Sequence, residues 1–179
     1  MTLISKADTD AMIRVNQAGE FGATRIYAGQ LTVMGTRHPA AREIAAMAAQ
    51  EERHRKRFDA MIAERRIRPT LLAPFWNIAG YGLGVATALM GPQAAMACTV
   101  AVETEIDRHY GEQLDEIGEA DPELSEAIAD FRSEEVEHKA TALSHGAEQA
   151  FAYPVLTSVI RAGCRAAIAL SRQIGRAHV

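Results

Sequence analysis

Glu51-Glu52-Arg53-His54 and Glu134-Glu135-Val136-Glu137-His138 are the two stretches that decide how this chain folds. Each holds a Glu-x-x-His, and each is preceded by a lone glutamate, Glu20 standing 31 residues before Glu51 and Glu103 standing 32 before Glu135. On a helix, positions i and i+3 lie about 60° apart, so the Glu and His of each pair share a face. One glutamate on each of two helices and a Glu-x-x-His on each of two others is the ligand set of a di-iron or di-manganese carboxylate site in a four-helix bundle. The expected fold is therefore all-α, a ferritin-like four-helix bundle made of two repeated helix pairs, with residues 1–179 as a single domain.

The surroundings of these acids strengthen that reading. Glu20 is the one charged residue between Arg14 and Arg25, in Val15-Asn16-Gln17-Ala18-Gly19-Glu20-Phe21-Gly22-Ala23, and Glu103 follows Thr99-Val100-Ala101-Val102. A carboxylate on such a face is costly to bury unless it is paired or bound to metal. Tyr27 lies seven residues after Glu20 and Tyr110 seven after Glu103, so each tyrosine shares its glutamate's face two turns away. The competing interpretation is four surface acids in salt bridges and two ordinary core tyrosines. In the ferritin-like arrangement, Glu20 and His54 would hold one ion, Glu103 and His138 the other, and Glu51 and Glu135 would bridge. Mixed oxygen and nitrogen donors without thiolate argue against structural zinc; iron and manganese both fit.

Composition agrees with helices. Hydrophobic residues make up 48% of the 179 but aromatics only 6%, which suits closely packed helices better than strands. A net charge of −4 gives no support for a nucleic-acid partner. Cys98 and Cys164 are isolated, so a reducing, cytoplasmic setting is expected, and the N-terminus lacks a signal-peptide layout.

Helices are expected over about 8–34, 40–66, 92–117, 121–149 and 153–174. Between the pairs, residues 71–102 carry no charge. Pro74, Asn77 and the glycines at 80, 82, 84 and 91 spoil a continuous membrane span, so 71–91 is expected to be an apolar helix lying in a membrane interface. The 153–174 helix is expected to be amphipathic, with Arg161, Arg165, Arg172 and Arg176 within about 60° of arc, a stripe suited to anionic lipid. His145 shares the face of His138 and is a candidate support for it, with an ordinary core or surface histidine as the equal alternative. His109 points away from Glu103 and is a candidate for lining a substrate channel. Glu52, Glu134 and Glu137 flank the ligands and are assigned to a solvated face. Gly80-x-Gly82-x-Gly84 follows no strand and is not a dinucleotide loop.

Further motifs point to a family. Arg14-Val15-Asn16-Gln17-Ala18-Gly19-Glu20, Arg25-Ile26-Tyr27-Ala28-Gly29-Gln30, Arg68-Pro69-Thr70, Trp76-Asn77, the run Ala95 to Glu103, His109-Tyr110, Glu134 to His138 and Ala162-Gly163-Cys164-Arg165 resemble the demethoxyubiquinone hydroxylases of ubiquinone biosynthesis. The likeness runs from about residue 10 to 172, with Gln17 standing where that family often has His. It implies a peripheral di-iron monooxygenase on the cytoplasmic face of the inner membrane. Such an enzyme inserts one oxygen atom from O2 into the ring of a prenylated methoxy-methyl-benzoquinol. It implies Glu20, Glu51, His54, Glu103, Glu135 and His138 as metal ligands, and Tyr110 and His109 on the substrate or electron path. NADH or another reductant as electron source, a lipid-binding accessory protein and a homo-oligomer are implied as well. The rival class is a ferritin-like ferroxidase, which would need a polar iron entry route rather than an uncharged insert.

Overall fold

The computed structural model describes residues 4–35 and 38–176, with side chains described to residue 173. Six α-helices account for most of them: α1 (Lys6–Met34), α2 (Pro39–Arg65), α3 (Ala73–Leu89), α4 (Pro92–Ile117), α5 (Pro122–Ser144) and α6 (Tyr153–Arg176), with a short 3-10 turn at Ala147–Gln149. No strand occurs among the described residues.

Local sequence sets the boundaries. Ser5 closes a capping box with Asp8 and starts α1 two residues before the expected Asp8. Asp121 accepts from the Leu124 N–H at 3.2 Å and caps α5, whose first residue is Pro122. Gly91, at φ 116°, makes the sharp corner between α3 and α4, a conformation that side-chain-bearing residues rarely adopt. One boundary departs from expectation. The fifth helix stops at Ser144 rather than near Gln149, because Gly146 takes a left-handed conformation (φ 82°) and turns the chain into the 3-10 segment.

Two apolar layers fix the topology. One contains Met12 and Ile13 of α1, Phe58 and Met61 of α2, Tyr110 and Ile117 of α4, and Leu124 and Ile128 of α5. The other contains Tyr27 of α1, Ile44 and Met47 of α2, Met96 and Val100 of α4, and Ala142 of α5. Read along the chain, α1 and α5 run from the first layer to the second, whereas α2 and α4 run from the second to the first. Helices α2 and α4 are thus parallel, and a crossover must carry the chain back along the bundle between them, as in ferritin-like folds with one long connection. That crossover is α3, about 25 Å long at 1.5 Å per residue.

Helix α3 lies along α1 at backbone contact. A Cβ on Gly84 would fall 2.0 Å from the Ile26 carbonyl oxygen, and one on Gly29 would fall 2.3 Å from that of Tyr81. The helix buries Gly84, Thr87 and Ala88 and exposes Phe75, Ile78 and Leu89. No helix among the described residues is long and apolar enough to cross a membrane.

Helix α6 packs chiefly on α4, and its basic stripe is also tied to the bundle. Glu105 of α4 is fully buried and accepts from Arg161 at 2.7 Å, Arg165 at 2.8 Å and Arg108 at 3.1 Å. Arg172 reaches His109 at 3.1 Å. Arg176 lies beyond the described side chains. A buried carboxylate needs cationic partners, and that demand turns the basic edge toward the bundle. The exposed side of α6 also carries apolar residues, Val155, Val159 and Leu170, alongside the half-exposed Arg165, with Ile160 buried.

Candidate metal centre

Between the two apolar layers sit the six residues singled out by spacing. Glu20 comes from α1, Glu51 and His54 from α2, Glu103 from α4, and Glu135 and His138 from α5, and none is more than 4% exposed. Their donor atoms form two overlapping groups, each within 4.8 Å. Glu20, Glu51, His54 and Glu135 make one, and Glu51, Glu103, Glu135 and His138 the other. Glu51 and Glu135 belong to both, the position required of bridging carboxylates.

The cage holds more negative charge than the protein alone neutralises. Four carboxylates carry −4 when ionised, equal and opposite to two divalent cations. Burial, then repulsion from Glu135, pushes Glu51 and Glu103 well above the usual carboxylate range. Burial acts in the same direction on Glu135, but the facing imidazoles of His138 and His54 outweigh it and hold that carboxyl low. His54 moves the other way: burial opposes its charge, yet Glu135 and Glu20 raise it to about 10. Oε1 of Glu51, Nδ1 of His54 and Oε1 of Glu135 are buried without any hydrogen-bond partner. Three unpartnered donor atoms facing one centre fit a bound cation, because orphaned polar atoms of this kind are otherwise expensive.

The tyrosines enter differently from their spacing. Tyr27 donates to Oε1 of Glu103 at 2.8 Å, and Tyr110 donates to Oε1 of Glu20. Each serves the other repeat's glutamate, since its own lies about 10 Å away along the helix. Burial, followed by the nearby carboxylates, raises both phenols well above their ordinary range, so both keep their protons.

His109 is 3% exposed, with Nε2 at 3.2 Å from Oδ1 of Asn16 and Nδ1 facing Arg172. Asn16 and Gln113 exchange hydrogen bonds at 2.8 and 2.9 Å beside it. Burial, then Arg172 and Arg108, lowers this imidazole to about 3, so it is neutral. His145 is not near His138. It caps the end of α5 in solvent, because the helix stops before the face it was expected to share.

Two supporting residues escape a sequence reading. Glu134, assigned to the solvated face, places Oε2 3.0 Å from Nε2 of His54. Gln50 places Oε1 2.8 Å from Nε2 of His138. The signal that could have found them is the repeat itself, since each immediately precedes a ligand glutamate. Glu52 and Glu137 do face outward, Glu52 pairing with Arg55. Gln17, at the position of the departure, donates to Asp59 at 2.9 Å.

The family model described as ubiquinone biosynthesis protein COQ7 matches residues 7–171. The chain belongs to the COQ7 family. Among its relatives, the 3-demethoxyubiquinol 3-hydroxylase of Rhodospirillum rubrum is 49% identical over 165 residues, covering 92% of this chain and 78% of that protein. The human NADPH-dependent 3-demethoxyubiquinone 3-hydroxylase, mitochondrial, is 50% identical over 180 residues, covering 97% and 82%. The Saccharomyces cerevisiae 5-demethoxyubiquinone hydroxylase, mitochondrial, is 40% identical over 175 residues, covering 89% and 75%. The six residues of the cage and the two tyrosines all fall inside the part of the chain matched by the COQ7 family.

Proposed function

We propose that this protein hydroxylates the ring of a prenylated methoxy-methyl-benzoquinol with O2, a late step of ubiquinone biosynthesis, at a carboxylate-bridged di-iron site. The observation that carries the reading is the pair of overlapping donor groups that share Glu51 and Glu135. Glu20 and His54 would complete one iron position, Glu103 and His138 the other. Two ferrous ions, when bound, supply the electrons that activate dioxygen.

The chain's own groups prepare that chemistry. Apolar layers above and below the acids exclude bulk water. Tyr27 and Tyr110 hold protons against Glu103 and Glu20, fixing the lone pairs that each carboxylate presents to the ions. Neutral His109, next in sequence to Tyr110, is held at both ring nitrogens by Asn16 and Arg172, so on the substrate or electron path it would act as a fixed, uncharged group and not as a base. Reducing equivalents come from a nicotinamide nucleotide; the human relative's name specifies NADPH, and the family resemblance pointed to NADH or another reductant.

The substrate's prenyl tail places the enzyme at a membrane surface, peripherally, on the cytoplasmic face. Between α1 and α4, Ala23, Ile26, Tyr27, Thr99, Val102 and Glu103 line a crevice beside the cage that is too tight for a water molecule as it stands and that a quinol head would have to open. Ile26 lies directly under Gly84 of α3, so the quinol head would enter beneath that helix. The exposed apolar residues of α3 and α6 support bilayer contact, and the same faces would meet a lipid-binding accessory protein or a second copy of the chain.

The test is anaerobic loading with iron and reductant, then O2 and a short-chain demethoxyquinol. A product heavier by one oxygen atom, labelled from 18O2, is expected. Iron oxidation without organic product would instead assign a ferroxidase.

A further inference from the structure

The hydrogen bonds that brace the two ligand histidines cross between the halves of the repeat, and they are chemically unequal. Both imidazoles turn Nδ1 toward the acids. Nδ1 of His54 is 3.2 Å from Oε1 of Glu135 and 3.6 Å from Oε2 of Glu20, and Nδ1 of His138 is 3.2 Å from both Oε1 of Glu51 and Oε2 of Glu135. Both turn Nε2 outward, His54 to the carboxylate of Glu134 at 3.0 Å and His138 to the amide oxygen of Gln50 at 2.8 Å. One position of the repeat, the residue before the shared glutamate, thus supplies a charged brace in one half and a neutral brace in the other. Arg53 holds Glu134 in place at 3.1 Å, and Phe131 stacks on the His54 ring at 4.1 Å between centroids.

The geometry points to Glu134 and Gln50 as positioning residues that make the two metal positions unequal, the His54 position being the tighter. The inference rests on the reading of the six residues as a two-iron site. With Nδ1 facing the metal, Nε2 carries the ring proton and donates it outward. An anionic acceptor draws on that proton and increases the electron density at Nδ1, which strengthens its bond to a cation. An amide oxygen fixes the ring's orientation and tautomer but supplies no charge. The bridging carboxylates are shared by both positions, and each position has one further glutamate hydrogen-bonded by one tyrosine. The braces, together with the Phe131 stack on His54, are therefore where this near-symmetric cage departs from symmetry.

The experiment is stepwise anaerobic addition of 57Fe(II) to the purified full-length chain, followed by calorimetry and Mössbauer spectroscopy. Wild type should take up two irons in two unequal steps and show two distinct ferrous environments. Glu134→Gln keeps an acceptor and removes the charge, so the tighter step should weaken by roughly 10-fold and the two steps converge. Gln50→Glu should converge them from the other side, by tightening the weaker step. The double exchange Gln50→Glu/Glu134→Gln should restore two unequal steps. Far-UV circular dichroism of the metal-free variants reports whether the bundle is intact. Two equal steps in wild type, or the wild-type pattern retained in both single variants, would overturn the inference while leaving the two-iron reading in place. A wild-type chain that takes up no iron would overturn both.

Discussion

The four helices that carry the acids and the two that wrap them invert the usual distribution of polarity. Inside α1, α2, α4 and α5, the four glutamates and two histidines of the cage are almost completely buried. Outside, α3 and α6 expose Ile78 at 75%, Val159 at 66% and Leu71, just ahead of α3, at 73%. An ordinary soluble bundle does the reverse. Buried charge of one sign calls for cations, and an apolar exterior calls for a non-aqueous partner. Each region is incomplete in the complementary sense, and the proposed chemistry, with metal at the centre and a lipid-tailed quinol from outside, would answer both.

Breaking the interior should have the largest effect. Glu135→Ala removes a donor common to both groups, so product formation should vanish and most iron uptake with it, while helicity persists. Metal analysis and circular dichroism check this, and a variant that still hydroxylates would end the bridging assignment.

The seam between the two regions should be next. Gly84→Ala drives a methyl group into the Ile26 carbonyl, where backbone rather than a flexible side chain is the obstacle. A loss of about 3 kcal/mol or more is expected, read from urea unfolding of the metal-free protein.

Acid should sharpen the contrast through His109. Its unfolded imidazole gains a proton as pH falls through about 6.5, whereas the folded one resists until about 3. The unfolded state therefore binds more protons between those values, and stability falls as pH falls. About 3 kcal/mol should be lost from this group between pH 7 and pH 4. His109→Gln should flatten that part of the curve; an unchanged slope would contradict the burial argument.

Glu105→Gln should cost about 2 kcal/mol, because the three guanidiniums around it remain hydrated at their outer edges. Burial alone would raise the Glu105 carboxyl, but Arg161 and Arg108 outweigh it and hold it low. Its contribution is thus present at neutral pH and disappears as acid protonates it, so the mutant and wild type should converge in acid.

The smallest effect on stability belongs to the exterior. Ile78→Glu and Val159→Glu should each change unfolding free energy by no more than about 0.5 kcal/mol. The same variants should sediment poorly with anionic liposomes that retain the wild type. Full retention would separate the apolar exterior from any membrane role.

Most of the fold and the six cage residues were legible along the chain. Helical periodicity places Glu51 with His54 and Glu135 with His138 whatever the rest of the structure does. Proline, glycine and aspartate at the helix ends mark α4 and the start of α5 to the residue or nearly so. The departures have two causes, a local turn of the backbone and contacts between helices. His145 was assigned a face on a turn of helix that Gly146 prevents. The α6 arginines Arg161 and Arg165 share one edge as expected, but they also reach inward to Glu105 while their outer faces stay in solvent. Glu134 looks like one acid among several on an outer face until α2 is laid beside it.

Sequence alone determined the helices, the donor types and their shared faces, because those depend on spacing within a single rod. Only the tertiary structure decided the partners: Tyr27 with Glu103, Tyr110 with Glu20, Glu134 with His54, Gln50 with His138. These contacts depend on the register and rotation of one helix against another. Side-chain packing across the whole bundle sets that register, and no local stretch of the chain encodes it.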